Sequence, residues 1–235
     1  MTTDPAPLTV PRLAFSSLRE MPALEEAFAP ALRLKLGQPW EPPHLALGPD
    51  FRPALAHLAW DPASACFGVF VDLTDADIYT DAVPGVENQP LWRLGDTAEF
   101  FIGRLGSPAY HEFHLAPGGQ YLRLRYPSRK RFLEISQPPL RMDRHEPFIL
   151  GPLPGERFQA RIQSGGGNWS AFFQIPLAAL APRLKSACFP GSVWQINVAR
   201  YDYQRGAPKP VHSATAPLTQ RHFHRRHEWT RIVLA

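Results

Sequence analysis

Carboxylates, imidazoles and one loop tryptophan are spaced in this sequence so that several could act on one ligand. Trp92 stands between Pro90 and Gly95 in a segment read as a loop. A loop indole either stays exposed, offering a large rigid ring to an apolar face of a ligand, or folds inward and caps the core. Glu99 lies within TAEFFIG (97–103). Strand alternation puts Ala98, Phe100 and Ile102 on the core face and Thr97, Glu99 and Phe101 on the other. In YHEFHL (110–115), Glu112 and His114 share one face, opposite His111, Phe113 and Leu115. If the two strands pair, their outer faces form one surface, to which Tyr121 and Arg123 of the next strand are expected to add. A carboxylate there either meets a ligand or makes a structural ion pair. Phe223 sits among His222, His224 and His227. Three histidines can ligate a metal, but no cysteine or carboxylate set completes a closed zinc site around them. A polar loop is the other reading. Asp72, Asp75 and Asp77 follow an apolar strand. Oxygen ligands in a loop suit calcium; aspartates in turns also bond their own backbone.

Other chemistries are excluded by spacing. His111-Glu112-Phe113-His114 has its histidines three apart on a strand, whereas a zincin needs them four apart on a helix. Asp96 and Glu99 are three apart on a strand and point to opposite faces. Glu99 with Glu112 is therefore the one carboxylate pair to consider for hydrolysis of a glycoside. No nucleophile elbow or phosphate-binding loop occurs.

The elements that must position these residues are strands. The chain has 235 residues, 44% of them apolar, enough for one substantial core. Its 27 prolines are dispersed. Proline is excluded from helix interiors and central strands, so many short elements joined by stiff loops are expected. Period-two runs occur at 31–36, 54–60, 66–73, 97–103, 110–115, 120–126, 157–164, 169–175, 193–203 and 228–234. Ala116-Pro117-Gly118-Gly119 and Gly165-Gly166-Gly167-Asn168 read as hairpin turns. The reading is about nine or ten strands forming an all-β antiparallel sandwich, jelly-roll-like, with one or two short helices (18–28 and 176–184). Residues 1–30 are taken as an N-terminal extension, 31–235 as one domain and 127–155 as a long loop. Cys66 and Cys188 show no metal spacing; whether they pair is open. Net charge is +4 with scattered arginines, which argues against a nucleic-acid partner. No stretch is apolar enough to span a bilayer, so no membrane partner is expected. The N-terminus has no signal-peptide pattern, so a cytoplasmic location is expected, or a secreted one if a leader has been removed.

Five ordered segments resemble family 9 carbohydrate-binding modules and the wider DOMON-like sandwiches. They are Ala59-Trp60-Asp61 with the strand ending at Val71-Asp72; LWRLGDTAEFF from Leu91 to Phe101; WSAFFQIP from Trp169 to Pro176; PGSVWQINVAR from Pro190 to Arg200; and Phe223-His224 with Glu228-Trp229. The resemblance covers roughly residue 31 to the end. It implies a non-catalytic domain that clamps a saccharide between two aromatic rings, Trp92 and, by position, Phe223, which stands where a sugar-binding member carries Trp. It also implies that Glu99 bonds sugar hydroxyls and that His114 replaces an arginine that does the same, with Glu112 beside it. Such modules can hold calcium, for which Asp72, Asp75 and Asp77 are the residues to consider. Two alternatives stay open: an accessory or interaction sandwich with Trp92 buried and its groove filled, and a glycoside-active hydrolase with Glu99 and Glu112 facing one cleft.

Overall fold

The structure, a computed structural model, describes residues 5–42, 48, 50–139, 141–163, 166–181 and 190–235. In chain order the described strands are β1 (Leu8–Val10), β2 (Leu32–Lys35), β3 (Ala54–Asp61), β4 (Cys66–Thr74), β5 (Thr97–Arg104), β6 (Tyr110–Leu115), β7 (Tyr121–Tyr126), β8 (Arg157–Ile162), β9 (Asn168–Pro176), β10 (Val193–Asp202), β11 (Val211–Ala214) and β12 (Thr230–Leu234). Short helices are α1 (Met21–Ala27), α2 (Arg129–Ile135) and α3 (Leu177–Leu180).

The strands form two sheets. One runs β2-β3-β4-β9-β8; the other runs β1-β12-β10-β5-β6-β7, with β11 beside β12 on the same edge of β10. Every pairing of these strands is antiparallel except β1 with β12. This is the all-β sandwich read from the alternation. Its inner faces interdigitate through Trp60, Phe67, Val69, Phe100, Ile102, Phe113, Phe173 and Trp194. β4, apolar on both faces, is the middle strand of its sheet, because its outer face is covered too.

That cover comes from the N-terminus. Residues 1–30 were expected to be an extension, but β1 pairs with β12, and Phe15, Met21, Leu24 and Phe28 bury against Phe70 and Phe172. Gly68 leaves the room: a Cβ there would lie 2.6 Å from Phe15 Cζ and 2.7 Å from Phe28 Cζ. The Phe15 and Phe28 rings pack against each other, tilted, at 5.1 Å. A three-residue strand such as β1 has too little pattern to be read alone; its partner at the far end of the chain defines it.

The segment 127–155, expected to be a loop, contains α2 and two single-turn 3₁₀ segments (Met142–Arg144 and Glu146–Phe148). Ser128 caps α2 by accepting the Arg131 N–H, a start signal present in the sequence. Proline and charge masked it. Cys66 is buried; Cys188 and residues 182–184 of the expected second helix lie outside the described residues. No helix among the described residues is long and apolar enough to cross a membrane.

If the N-terminal segment belongs to the core, Phe15→Ala should destabilise the protein by about 3–5 kcal/mol in urea unfolding. A loss near zero with an unchanged denaturant slope would make residues 8–28 a dispensable appendage.

Candidate functional site

Register places the site. β5 and β6 pair Glu99 with His114 and Phe101 with Glu112, so these four side chains rise together from the outer face of the larger sheet. β6 and β7 pair His114 with Leu122, Glu112 with Leu124 and Tyr110 with Tyr126. The same register puts Tyr121 and Arg123 on the inner side, opposite Leu115 and Phe113, contrary to expectation. There Tyr121 packs on Phe158, and Arg123 pairs with Glu156. Hairpin pairing, which alternation alone does not fix, decided this.

Above this face lies a cavity of about 290 Å3, lined by Trp92, Glu99, Glu112, His114 and Phe223 among others. The five residues singled out as ligand-binding therefore converge. Sequence reading missed Tyr126 on β7, Phe132 on α2, His145, Tyr201 on β10 and His212 on β11, which complete the walls. His222 and His224 line it too, whereas His227 points away and pairs with Glu228 at 3.3 Å. Period-two faces of β10 and β11 carry a signal for Tyr201 and His212. His145 has none, because an irregular segment delivers it.

Each wall is tied down. Tyr203 donates its hydroxyl to the Trp92 carbonyl at 2.7 Å. Gly95 has φ +138°, and a Cβ there would stand 2.5 Å from the Tyr79 carbonyl oxygen; only glycine lets the Trp92 turn pass so close. Opposite, the 219–228 loop is closed by Glu228, which accepts from the Thr219 N–H at 2.8 Å and from the Arg225 Nε at 2.8 Å. The Trp229 indole donates to the Phe223 carbonyl at 2.7 Å. Buried Arg226 bonds the carbonyls of Arg104, Ser107 and Ala109, fixing the loop to the end of β5.

The floor is a chain of alternating carboxylates and imidazoles. Glu99 Oε1 is 2.9 Å from His114 Nδ1, His114 Nε2 is 3.3 Å from Glu112 Oε2, and Glu112 Oε1 is 2.8 Å from His224 Nδ1. Glu99, Glu112 and His114 are each about 2% exposed. Burial alone would raise the Glu112 carboxyl, but the His224 and His114 imidazoles outweigh it and hold it at about 2. Burial likewise opposes charge on His114, yet Glu99 and Glu112 push it up to about 9. The walls behave oppositely. Burial, with Arg221 adding, lowers His212 to about 4; burial, with His224 and Arg129 adding, lowers His222 to about 4. The His222 Nδ1 accepts the His224 N–H at 3.2 Å, leaving Nε2 to carry the proton of the neutral ring. Burial lowers His145 too, and Tyr126 bonds its Nδ1 at 2.7 Å.

Rings surround this floor. Trp92, partly exposed, packs 5.3 Å from His114 and 6.5 Å from His145. Phe223 is wedged against Tyr201 at 5.5 Å and Trp40 at 6.2 Å. The arrangement can accept hydrogen bonds from hydroxyls at the floor and cover a ligand's C–H faces at the sides.

The carboxylates do not flank an open gap. The His114 imidazole fills the space between them, where a glycosidase places its substrate bond. Asp96 lies elsewhere, accepting the N–H groups of Tyr79 and Tyr203 at 2.7 and 2.8 Å.

Asp72, Asp75 and Asp77, considered for calcium, do not converge. Asp72 faces His57 at 3.2 Å, Asp75 binds Arg200 at 3.0 Å, and Asp77 pairs with Arg205. Alternating strand and turn directions send them apart, so they do not fit one ion. A different set, Asp75, Asp96 and Asp202, brings oxygens within 4.8 Å of one another, all buried. There the Arg200 guanidinium supplies positive charge, 3.0 Å from Asp75 and 3.2 Å from Asp202. Burial and the Asp75 charge push Asp96 up to about 8 against its two backbone N–H donors.

No family model matches the chain, and no curated protein matches it. Solved structures do. A Bacteroides uniformis protein provisionally described as carbohydrate-binding superposes with a TM-score of 0.68 at 12% identity, over 97% of this chain and 98% of that one. A family 9 carbohydrate-binding module from Caldicellulosiruptor kristjanssonii, in complex with cellotriose, gives 0.57 at 9% identity, over 97% and 93%. A family 9 module of the same organism in complex with glucose gives 0.51 at 9% identity, over 78% and 77%. The chain thus has the fold of the family 9 carbohydrate-binding modules.

Two predictions follow from the buried charges. His114 stays protonated in the fold to about 9 against an ordinary 6.5, so its contribution is complete below 6.5 and is lost as pH rises through 9. Asp96, protonated to about 8 against 3.8, contributes below 3.8 and loses that as pH rises through 8. Both slopes have the same sign between 6.5 and 8, and that of His114 continues to 9; the neutral walls add little there. The Tm should fall by at least about 3 °C across this window, and the fall should be shallower in His114→Gln. A Tm that rises with pH would contradict the charge assignment. Separately, Arg200→Met removes the guanidinium that the buried Asp75 and Asp202 share and should cost about 3–5 kcal/mol in urea unfolding.

Proposed function

We propose that the protein is a non-catalytic saccharide-binding domain and that the cavity over β5 and β6 is its binding site. The observation that carries this is the convergence of Trp92, Glu99, Glu112, His114 and Phe223 on one open cavity. Sugars present hydroxyls in a ring around apolar C–H faces. A floor of ionised carboxylate makes strong, charge-assisted bonds to hydroxyls, and aromatic side walls cover the faces with little loss of rotamer freedom. Trp92 and Phe223 are the rings proposed to hold the sugar. Likeness to saccharide-bound family 9 modules supports the reading through the fold. An interaction domain without a sugar site would bury Trp92 and fill the groove; partial exposure of Trp92 and the open cavity argue against it. The imidazole between Glu99 and Glu112 argues against a hydrolase.

Titration calorimetry against a panel of mono- and oligosaccharides tests the proposal. Saturable binding is expected, weakened about tenfold or more in Trp92→Ala, with the mutant's circular dichroism unchanged. A flat response to the whole panel from folded protein would move the reading to an interaction domain.

A further inference from the structure

The cavity's charges are unevenly compensated. At the floor both carboxylates are already held by imidazoles: Glu99 by His114, and Glu112 by His114 and His224. At the other end stands Arg221. It lines the cavity yet is exposed, so it marks the mouth. No carboxylate among the described residues pairs with it. Glu228, the acid of the same loop, is taken by Arg225.

A second guanidinium reinforces this. Arg129, at the start of α2, donates its Nε to the His224 carbonyl at 3.0 Å, which brings it to the same loop. The positive field reaches into the cavity walls: Arg221 helps to hold His212 neutral, and Arg129 helps to hold His222 neutral. Those two imidazoles are dipolar hydrogen-bonding groups and add no opposing charge. The result is a site with hydroxyl acceptors at its closed end and uncompensated positive charge at its open end.

Resting on the saccharide reading above, we propose that the preferred ligand is an acidic saccharide, with its hydroxyls on the Glu99–His114–Glu112 floor and its anionic group on Arg221 at the mouth. A planar guanidinium can meet a carboxylate or phosphate through two parallel bonds. A neutral sugar leaves Arg221 solvated and gains nothing from it. A cationic sugar is repelled at the mouth. The anionic group can be a carboxylate, as in a uronic acid, or a phosphate ester. Both have the chemistry Arg221 recognises, and they are separated experimentally.

Titration calorimetry with glucose, glucuronic acid, glucose 6-phosphate and their galacto counterparts, at low and high ionic strength, decides the matter. The anionic member of a series should bind about fivefold or more tighter than its neutral parent at low salt, and this ratio should shrink with added salt. In Arg221→Gln the ratio should fall to within about twofold. Arg33→Gln, an exposed arginine on the opposite sheet, should keep it. Arg221 is exposed, so its replacement does not threaten the fold. A gain for the uronic acid alone identifies a carboxylated ligand, and a gain for the phosphate ester alone a phosphorylated one; either supports the proposal. Neutral sugars binding as tightly as their acids would overturn it and leave the saccharide site standing. A preference for acids that survives in Arg221→Gln would overturn the role given to Arg221. Binding of no sugar, neutral or acidic, would overturn both this inference and the saccharide reading.

Discussion

Charge that is buried must be paired, and the outer face of the larger sheet is organised around that demand. Glu99 and Glu112 sit on neighbouring strands at the bottom of the cavity, almost without access to water. An uncompensated buried carboxylate costs several kcal/mol. His114, between them on β6, supplies the compensation because strand pairing sets it directly across from Glu99 and two residues along from Glu112. His224 supplies the rest from a different part of the chain. That last contact explains why the 219–228 loop is tied so heavily. Glu228, Arg226 and Trp229 each hold it by hydrogen bonds, and the imidazole they position keeps Glu112 ionised.

The same constraint appears, solved differently, at the end of the sandwich. Asp75, Asp96 and Asp202 meet around Arg200, which also donates to the Thr74 carbonyl at 2.7 Å. One guanidinium does not neutralise three carboxylates, and Asp96 meets the shortfall by retaining its proton to about 8. This cluster joins the Tyr79 and Tyr203 segments through Asp96. The Tyr203 hydroxyl in turn holds the Trp92 carbonyl. A buried electrostatic knot thus supports the aromatic wall of the cavity from behind, and the Gly95 backbone provides the close approach that permits it.

Much of this was legible in the chain. Strand patterning identified β2 to β10 and β12 and correctly separated Ala98, Phe100 and Ile102 from Glu99 and Phe101. It placed Glu112 and His114 on one face, and the resemblance ordered Trp92 and Phe223 toward the same region. Other readings failed for identifiable reasons. Tyr121 and Arg123 were assigned to the wrong face because alternation fixes faces within a strand but not the pairing between strands. The aspartates at 72, 75 and 77 were close in sequence, yet the turn aims them at three different partners. The N-terminal residues looked detached because their partners, β12 and the outer face of β4, are remote in sequence.

The sequence by itself determined the period of the elements, the turns that joined them and the chemical types available to the site, because those depend on neighbours along the chain. Tertiary structure alone decided which of them meet. It brought His145, Tyr201, His212 and Arg221 to a cavity begun by Glu99 and His114, and it gathered Asp75, Asp96 and Asp202 around Arg200. The physical reason is that burial and charge pairing act through space. A carboxylate's partner is whichever imidazole or guanidinium the packed sheets deliver, at any distance along the chain.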